Sequence, residues 1–212
     1  LMKYAIGNML NGAGGLNPDG LSLDLQFATD KTLTARKGPT PVLTRATTGT
    51  FIGSNGLIQT ASINVARFDH NPTTLVCKGL LIEESRSNIL FPSATLTTQT
   101  TEEEVRAVEH TLSFYGTGTI VLSGAKVATV TGTGAYPTRT TLTFIPTATL
   151  LTLTVTGSVT KAQLEEGAFA TSYIPTTTGV LTRSADVCSI TGGNFTSIWN
   201  GVNATMFFRG SR

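Results

Sequence analysis

Acid–base chemistry in this chain would have to come from its clustered carboxylates, Glu83-Glu84, Glu102-Glu103-Glu104 and Glu165-Glu166. A pair of carboxylates flanking a glycosidic bond can hydrolyse it, one as acid and the other as base or nucleophile. Neighbours along a strand point to opposite faces, so adjacent glutamates cannot both aim at one bond. The clusters read instead as solvated corners or arginine partners, with Glu83 or Glu84 placed to pair with Arg86, Arg45 or Arg67. His70 and His110 are the only histidines, and neither stands at metal-ligand spacing from Cys, His or a carboxylate cluster. No Gly-x-Ser-x-Gly elbow, Walker loop or calcium loop occurs. Gly116-Thr117-Gly118 and Gly132-Thr133-Gly134 lack the third glycine and following helix of a dinucleotide loop, and read as turns. Cys77 and Cys188 lie in separate apolar-flanked stretches and read as buried thiols rather than a disulfide framework. Asn194-Phe195-Thr196 and Asn203-Ala204-Thr205 fit the glycosylation pattern, which carries weight only behind a secretory signal. No catalytic, cofactor or metal residues are expected. For binding, Tyr115, Tyr136 and Tyr173 are candidate aromatic platforms for a sugar, and each reads equally well as a core or rim residue.

The elements that would position these residues are strands. Of 212 residues, 40 are threonine and only 13% are charged. A typical soluble domain carries about 25% charged residues, so here a neutral, β-branched hydroxyl residue makes the surface polar. A formal charge of +2, dispersed, leaves no electrostatic footprint for nucleic acid. No apolar run approaches a membrane span, and no secretion signal is recognisable.

Met2, Ala5, Ile6, Met9 and Leu10 fall at helical spacing, so residues 1–20 read as an entry segment with a short helix, or as an apolar docking arm. Residues 21–91 read as an amino-terminal β domain. Leu21, Leu23, Leu25 and Phe27 alternate with polar residues as in a half-buried strand. Phe51-Ile52 and Leu57-Ile58 flank Asn55-Gly56, a hairpin signal that asks for positive φ at both residues. Gly79-Leu80-Leu81-Ile82 predicts a buried strand emerging at Glu83-Glu84. Over 92–176 the runs 110–115, 119–122, 126–131, 140–145, 150–156 and 159–164 recur at the spacing of a β-sandwich. Residues 177–212 read as a linker and the truncated start of a further β domain, closing on the strand-like Ala204-Thr205-Met206-Phe207-Phe208. The expected class is all-β.

Several of these stretches resemble, in order, proteins of the tailed-bacteriophage head spike fibre and tail fibre family. The carrying segments are Thr44-Arg45-Ala46-Thr47-Thr48-Gly49-Thr50-Phe51, Gly56-Leu57-Ile58-Gln59-Thr60-Ala61, Arg67-Phe68-Asp69-His70 and the run from Gly79 through Glu83-Glu84-Ser85-Arg86-Ser87-Asn88 to Leu90. Further on, Gln163-Leu164-Glu165-Glu166-Gly167 through Ala170-Thr171-Ser172-Tyr173-Ile174-Pro175-Thr176 resembles the end of that family's carbohydrate-binding-module-like, jelly-roll sandwich. Thr182-Arg183-Ser184-Ala185-Asp186 resembles the lead-in to its lectin-like domain. His70 and Ser184 depart from the residues usual there, and little of a lectin-like domain follows residue 190.

The resemblance implies a non-enzymatic virion structural protein: a fibre, spike or capsid-decorating subunit, assembled in the bacterial cytoplasm as a homo-oligomer, most simply a trimer. It would dock on capsid or tail proteins and reach a host-surface glycan, without nucleic acid or membrane insertion. The rival expectations are a glycan-binding adhesin module and a fragment of a depolymerising tailspike. Arg45, Arg67, Asp69, Glu83, Glu84 and Arg86 are expected to form a structural polar network, so that Arg86→Ala lowers the melting temperature or dissociates the oligomer.

Overall fold

The computed structural model describes residues 21–199 and, as backbone, the strands Lys3–Ala5 and Arg209–Ser211. In chain order the first elements are β1 (Lys3–Ala5), α1 (Phe27–Asp30), β2 (Val42–Thr44), β3 (Gly49–Ile52), β4 (Ile58–Ala61), β5 (Phe68–His70) and β6 (Cys77–Leu80). Then come β7 (Arg86–Asn88), β8 (Gln99–Thr100), β9 (His110–Tyr115), β10 (Thr119–Gly124), β11 (Ala128–Thr131), β12 (Thr140–Phe144), β13 (Leu151–Thr156), β14 (Thr160–Glu166) and β15 (Leu181–Arg183). The last are β16 (Val187–Ser189), α2 (Gly192–Thr196) and β17 (Arg209–Ser211). The protein is all-β, with every strand pair antiparallel. Among the described residues no helix is long and apolar enough to cross a membrane.

The chain divides into two units: Leu1–Glu84 with Ser184–Arg212, and Ser85–Arg183. The second is thus inserted into the sequence of the first. It begins on β7 and ends on β15, and these two strands pair with Arg86 opposite Arg183.

The inserted unit is a β-sandwich. One sheet has the order β11-β10-β13-β8 and the other β12-β9-β14. Alternation explains its core: Ile120 and Leu122, with Leu151 and Leu153, meet Leu112, Phe114, Ala162 and Leu164 of the other sheet in one buried cluster. On the opposite face of the first sheet, Thr131, Thr119 and Thr156 fall in one cross-strand row and Thr129, Val121 and Thr154 in the next. The predicted runs fall on β9 to β14, because period-two alternation over an apolar core is a local signal that packing here agrees with.

The other unit has a smaller apolar cluster of Leu25, Phe27, Leu43 and Leu80. Among the described residues its strands form two-stranded pairs: β3 with β4, β5 with β6, β16 with β2, and β1 with β17. Three expectations are corrected here. The strand expected over 21–27 is an isolated bridge, Asp24 with Lys37, followed by α1, in which Phe27 stays buried. Gln26 C=O accepts from both Thr29 N and Asp30 N, and Lys31 closes the turn at φ 53°. The β3–β4 loop is not a two-residue turn. Ile52 pairs with Ile58, Gly56 N donates to Gly53 O, and of Asn55 and Gly56 only Gly56 has positive φ, at 76°. Within the stretch expected as a linker, residues 181–183 and 187–189 are strands, β15 pairing with β7 and β16 with β2.

Of the entry helix, Lys3–Ala5 is instead strand, in register with Arg209–Ser211. The rest of that expectation and the run Ala204–Phe208 lie outside the described residues. Cys77 and Cys188 are free and half-buried rather than buried.

Candidate functional site

Four charged residues converge at strand ends of the first unit. Arg45 follows β2, Arg67 precedes β5, Glu83 lies beyond β6, and Asp186 precedes β16. The pairing of Val187 with Thr44 sets Asp186 beside Arg45. Asp186 is the hub. Its Oδ1 accepts from Arg45 Nη1 at 2.9 Å, and its Oδ2 accepts from Arg67 Nη2 at 2.5 Å and Glu83 N at 2.9 Å. Arg67 Nη1 also donates to Glu83 Oε2 at 2.8 Å and Thr50 O at 2.7 Å. Arg45 donates through Nε to Thr47 O at 2.9 Å and through Nη2 to Ser62 O at 2.7 Å.

All four side chains are buried, and their formal charges cancel. Burying charge is expensive unless partners replace water, and here carboxylates and backbone carbonyls do so. The arrangement clamps four strand ends; its charged atoms are turned to protein partners, which suits holding rather than reacting.

Of the six residues expected to form one network, the structure joins Arg45, Arg67 and Glu83. Asp69 is buried nearby in sequence but makes separate contacts, accepting from Ile52 N at 2.8 Å and from Lys78 Nζ at 3.3 Å. Glu84 is exposed. Arg86 belongs to the other unit, its guanidinium 5.2 Å from the ring centre of Phe169. Asp186 was missed as a network member. Its place in Arg183-Ser184-Ala185-Asp186, at the start of a strand in a chain with only 13 acidic residues, was the available signal.

A second polar cluster lies in the inserted unit. Glu165 is buried, where a solvated corner or arginine partner was expected. Its Oε1 accepts from Gln163 Nε2 at 2.6 Å and Thr171 N at 2.8 Å, and its Oε2 from Thr171 Oγ1 at 2.7 Å. Thr171 Oγ1 in turn accepts from Arg183 Nη1 at 3.1 Å, so a hydroxyl bridges the buried carboxylate and guanidinium. Asn88 is also buried: its amide donates to Ala162 O and Ile174 O, and its carbonyl accepts from Leu90 N and Leu164 N. Glu166, by contrast, is exposed and pairs with Arg106 at 2.9 Å.

Of the three tyrosines, two come together. The rings of Tyr115 and Tyr136 lie 5.3 Å apart and inclined by 52°, with the Arg139 guanidinium 5.9 Å from the Tyr115 ring centre. Tyr173 is a buried residue whose hydroxyl shares a 2.7 Å hydrogen bond with Ser93 Oγ. Burial pushes its phenol above the usual range, and the Ser93 bond offsets this in part.

His70 and His110 are buried, with Nδ1 on Ile52 O and Val108 O respectively. Among the described residues no three His, Cys, Asp or Glu side chains are grouped to hold a metal ion. Comparison of the chain with protein-family models, with curated proteins and with solved structures found no match in any of the three.

Proposed function

We propose that the chain is a non-enzymatic structural subunit of a tailed-phage virion: a fibre, spike or capsid-decorating protein that docks through residues 21–91 and projects its sandwich towards the host surface. It works as a homo-oligomer, most simply a trimer. The observation that supports this reading is where the segments carrying the resemblance meet. Arg45, Arg67, Glu83 and Asp186 come from four of them and close one buried network. Gln163, Glu165 and Thr171 come from a fifth segment, and with Asn88 of the run from Gly79 to Leu90 and Arg183 of the run from Thr182 to Asp186 they join those segments in the inserted unit. Residues spent on mutual anchoring suit a rigid particle component better than a catalyst. The low charge and abundant hydroxyls suit surfaces that pack against copies while staying hydrated.

Light scattering at low and high salt tests it. A salt-resistant particle of three times 22.2 kDa is expected, and a monomer at all concentrations overturns the oligomeric fibre. The second reading, a glycan-binding adhesin, is favoured by the Tyr115–Tyr136 pair and is compatible with the first.

A further inference from the structure

The buried carboxylate of the inserted unit, Glu165, holds two groups that can react with each other. Thr171 brings a hydroxyl, a nucleophile once its proton is taken, and Gln163 brings an amide, an acyl group whose leaving group is ammonia. Glu165 Oε2 accepts from Thr171 Oγ1 at 2.7 Å, and Glu165 Oε1 accepts from Gln163 Nε2 at 2.6 Å. Gln163 Nε2 also donates to Thr171 Oγ1 at 3.4 Å, so the hydroxyl lies beside the amide it would attack. The amide oxygen, Gln163 Oε1, accepts from Ile174 N at 2.6 Å. Arg183 Nη1 donates to Thr171 Oγ1 at 3.1 Å, placing a positive charge where an alkoxide would develop. Gln163, Glu165, Thr171 and Arg183 are all buried. An anchoring network needs only donors matched to acceptors. This one in addition sets nucleophile, base, leaving group and oxyanion donor around one carbon.

We propose that Thr171 and Gln163 condense into an intramolecular ester, with Glu165 as general base and ammonia released. Glu165 Oε2 takes the hydroxyl proton of Thr171. The Gln163 amide, pivoting on the bond from Ile174 N to its oxygen, turns its face to Thr171, and an Oγ1 electron pair forms the new bond to Cδ. Negative charge moves onto Oε1, where the Ile174 N–H already donates, as backbone donors do in acyl transfer. As the charge returns, the Cδ–Nε2 bond breaks and Glu165 gives its proton to the departing nitrogen, which leaves as NH3. One hydroxyl and one primary amide become one ester and one ammonia. Glu165 ends as the carboxylate it began as, and nothing is oxidised or reduced. Holding both partners in one fold supplies an effective concentration of roughly 10⁵–10⁸ M for such a step. Ammonia escapes into bulk solvent, and burial shields the ester from water. The product ties β14 to the segment that follows it. The reaction runs once per chain, leaves no standing activity, and does not depend on the virion reading above.

Intact-mass spectrometry on the full folded chain tests this. The expected mass is lower than that of the sequence by one ammonia, about 17 Da. After denaturation, proteolysis at Glu165 and Glu166 should leave the peptide ending at Glu165 still joined to the one carrying Thr171. Hydroxylamine should part them and leave a hydroxamate on the Gln163 side chain. Thr171→Val, which removes the nucleophile, and Glu165→Gln, which removes the base, should each keep the full mass of their own sequences. Thr171→Ser retains the hydroxyl and should still lose ammonia. A folded wild-type chain at full mass overturns the proposal whether or not the variants fold. A loss of ammonia that maps elsewhere, such as a succinimide at Asn55-Gly56, overturns it as well.

Discussion

The described parts of the two units differ in what is buried within them. The inserted sandwich encloses a continuous apolar cluster between two sheets, and its polar cluster is an addition to that core. Among the described residues, the other unit has a cluster of four buried apolar residues and strand pairs of three or four residues each, together with a buried ion network. Short two-stranded pairs cannot enclose much apolar area, so something directional must fix how they meet. Arginine does this well, because its planar fork reaches several acceptors at once. Among the described residues a buried ion network thus joins strand ends that no shared sheet joins, and removing one member leaves its partners buried without their counter-charge.

That contrast can be broken most directly at its hub. Asp186→Ala leaves the guanidiniums of Arg45 and Arg67 without their shared carboxylate, and removing one partner of a buried ion network costs about 3–5 kcal/mol. Hydrogen exchange should show the amides of β2 and β5 losing protection far more than those of β9 and β13. Equal loss in both units would mean that the network is not what holds the first.

In the sandwich the matching wound is Leu153→Ala, a fully buried core position, expected to cost about 2–5 kcal/mol with exchange quickened first in β10 and β13. A change under 1 kcal/mol would show that the apolar core is not the support assigned to it.

A smaller effect sharpens the comparison through pH. The Tyr173 phenol is raised in the folded state by burial, so its contribution is fully present below the unfolded value of about 10 and is lost as pH rises through the folded one. Urea titrations should therefore show the sandwich weakening above pH ~10, and Tyr173→Phe should flatten that slope while costing about 1 kcal/mol at neutral pH for the lost Ser93 bond. An unchanged alkaline slope in Tyr173→Phe would assign the effect to other groups.

Smallest of all, Arg106→Ala removes an exposed ion pair with Glu166 and should shift stability by no more than about 1 kcal/mol, vanishing in high salt. The gap between this pair and Asp186 measures what burial adds.

Much of the sandwich was readable in advance because strands such as β10 and β13 bury one face. Leu151, Leu153 and Val155 alternate with threonine, and β13 follows that alternation from Leu151 to Thr156. The first unit was harder. Leu21 to Phe27 alternate as cleanly, yet without a sheet partner along their length they form one bridge and a helical turn. Glu165 and Glu166 show the same limit at a single step: adjacent in sequence, one is buried under Thr171 and the other pairs at the surface.

The amino-acid sequence by itself determined the all-β class, the strands of the sandwich, the scarcity of charge and the identity of most polar residues worth watching, because these follow from composition and from patterns a few residues long. Only the tertiary structure decided that the sandwich is an insertion, that Asp186 joins the network, that Tyr115 and Tyr136 meet, and that Tyr173 binds Ser93. Those facts join residues as far apart as Arg45 and Asp186, and no local period carries a pairing that loop closure and packing settle together.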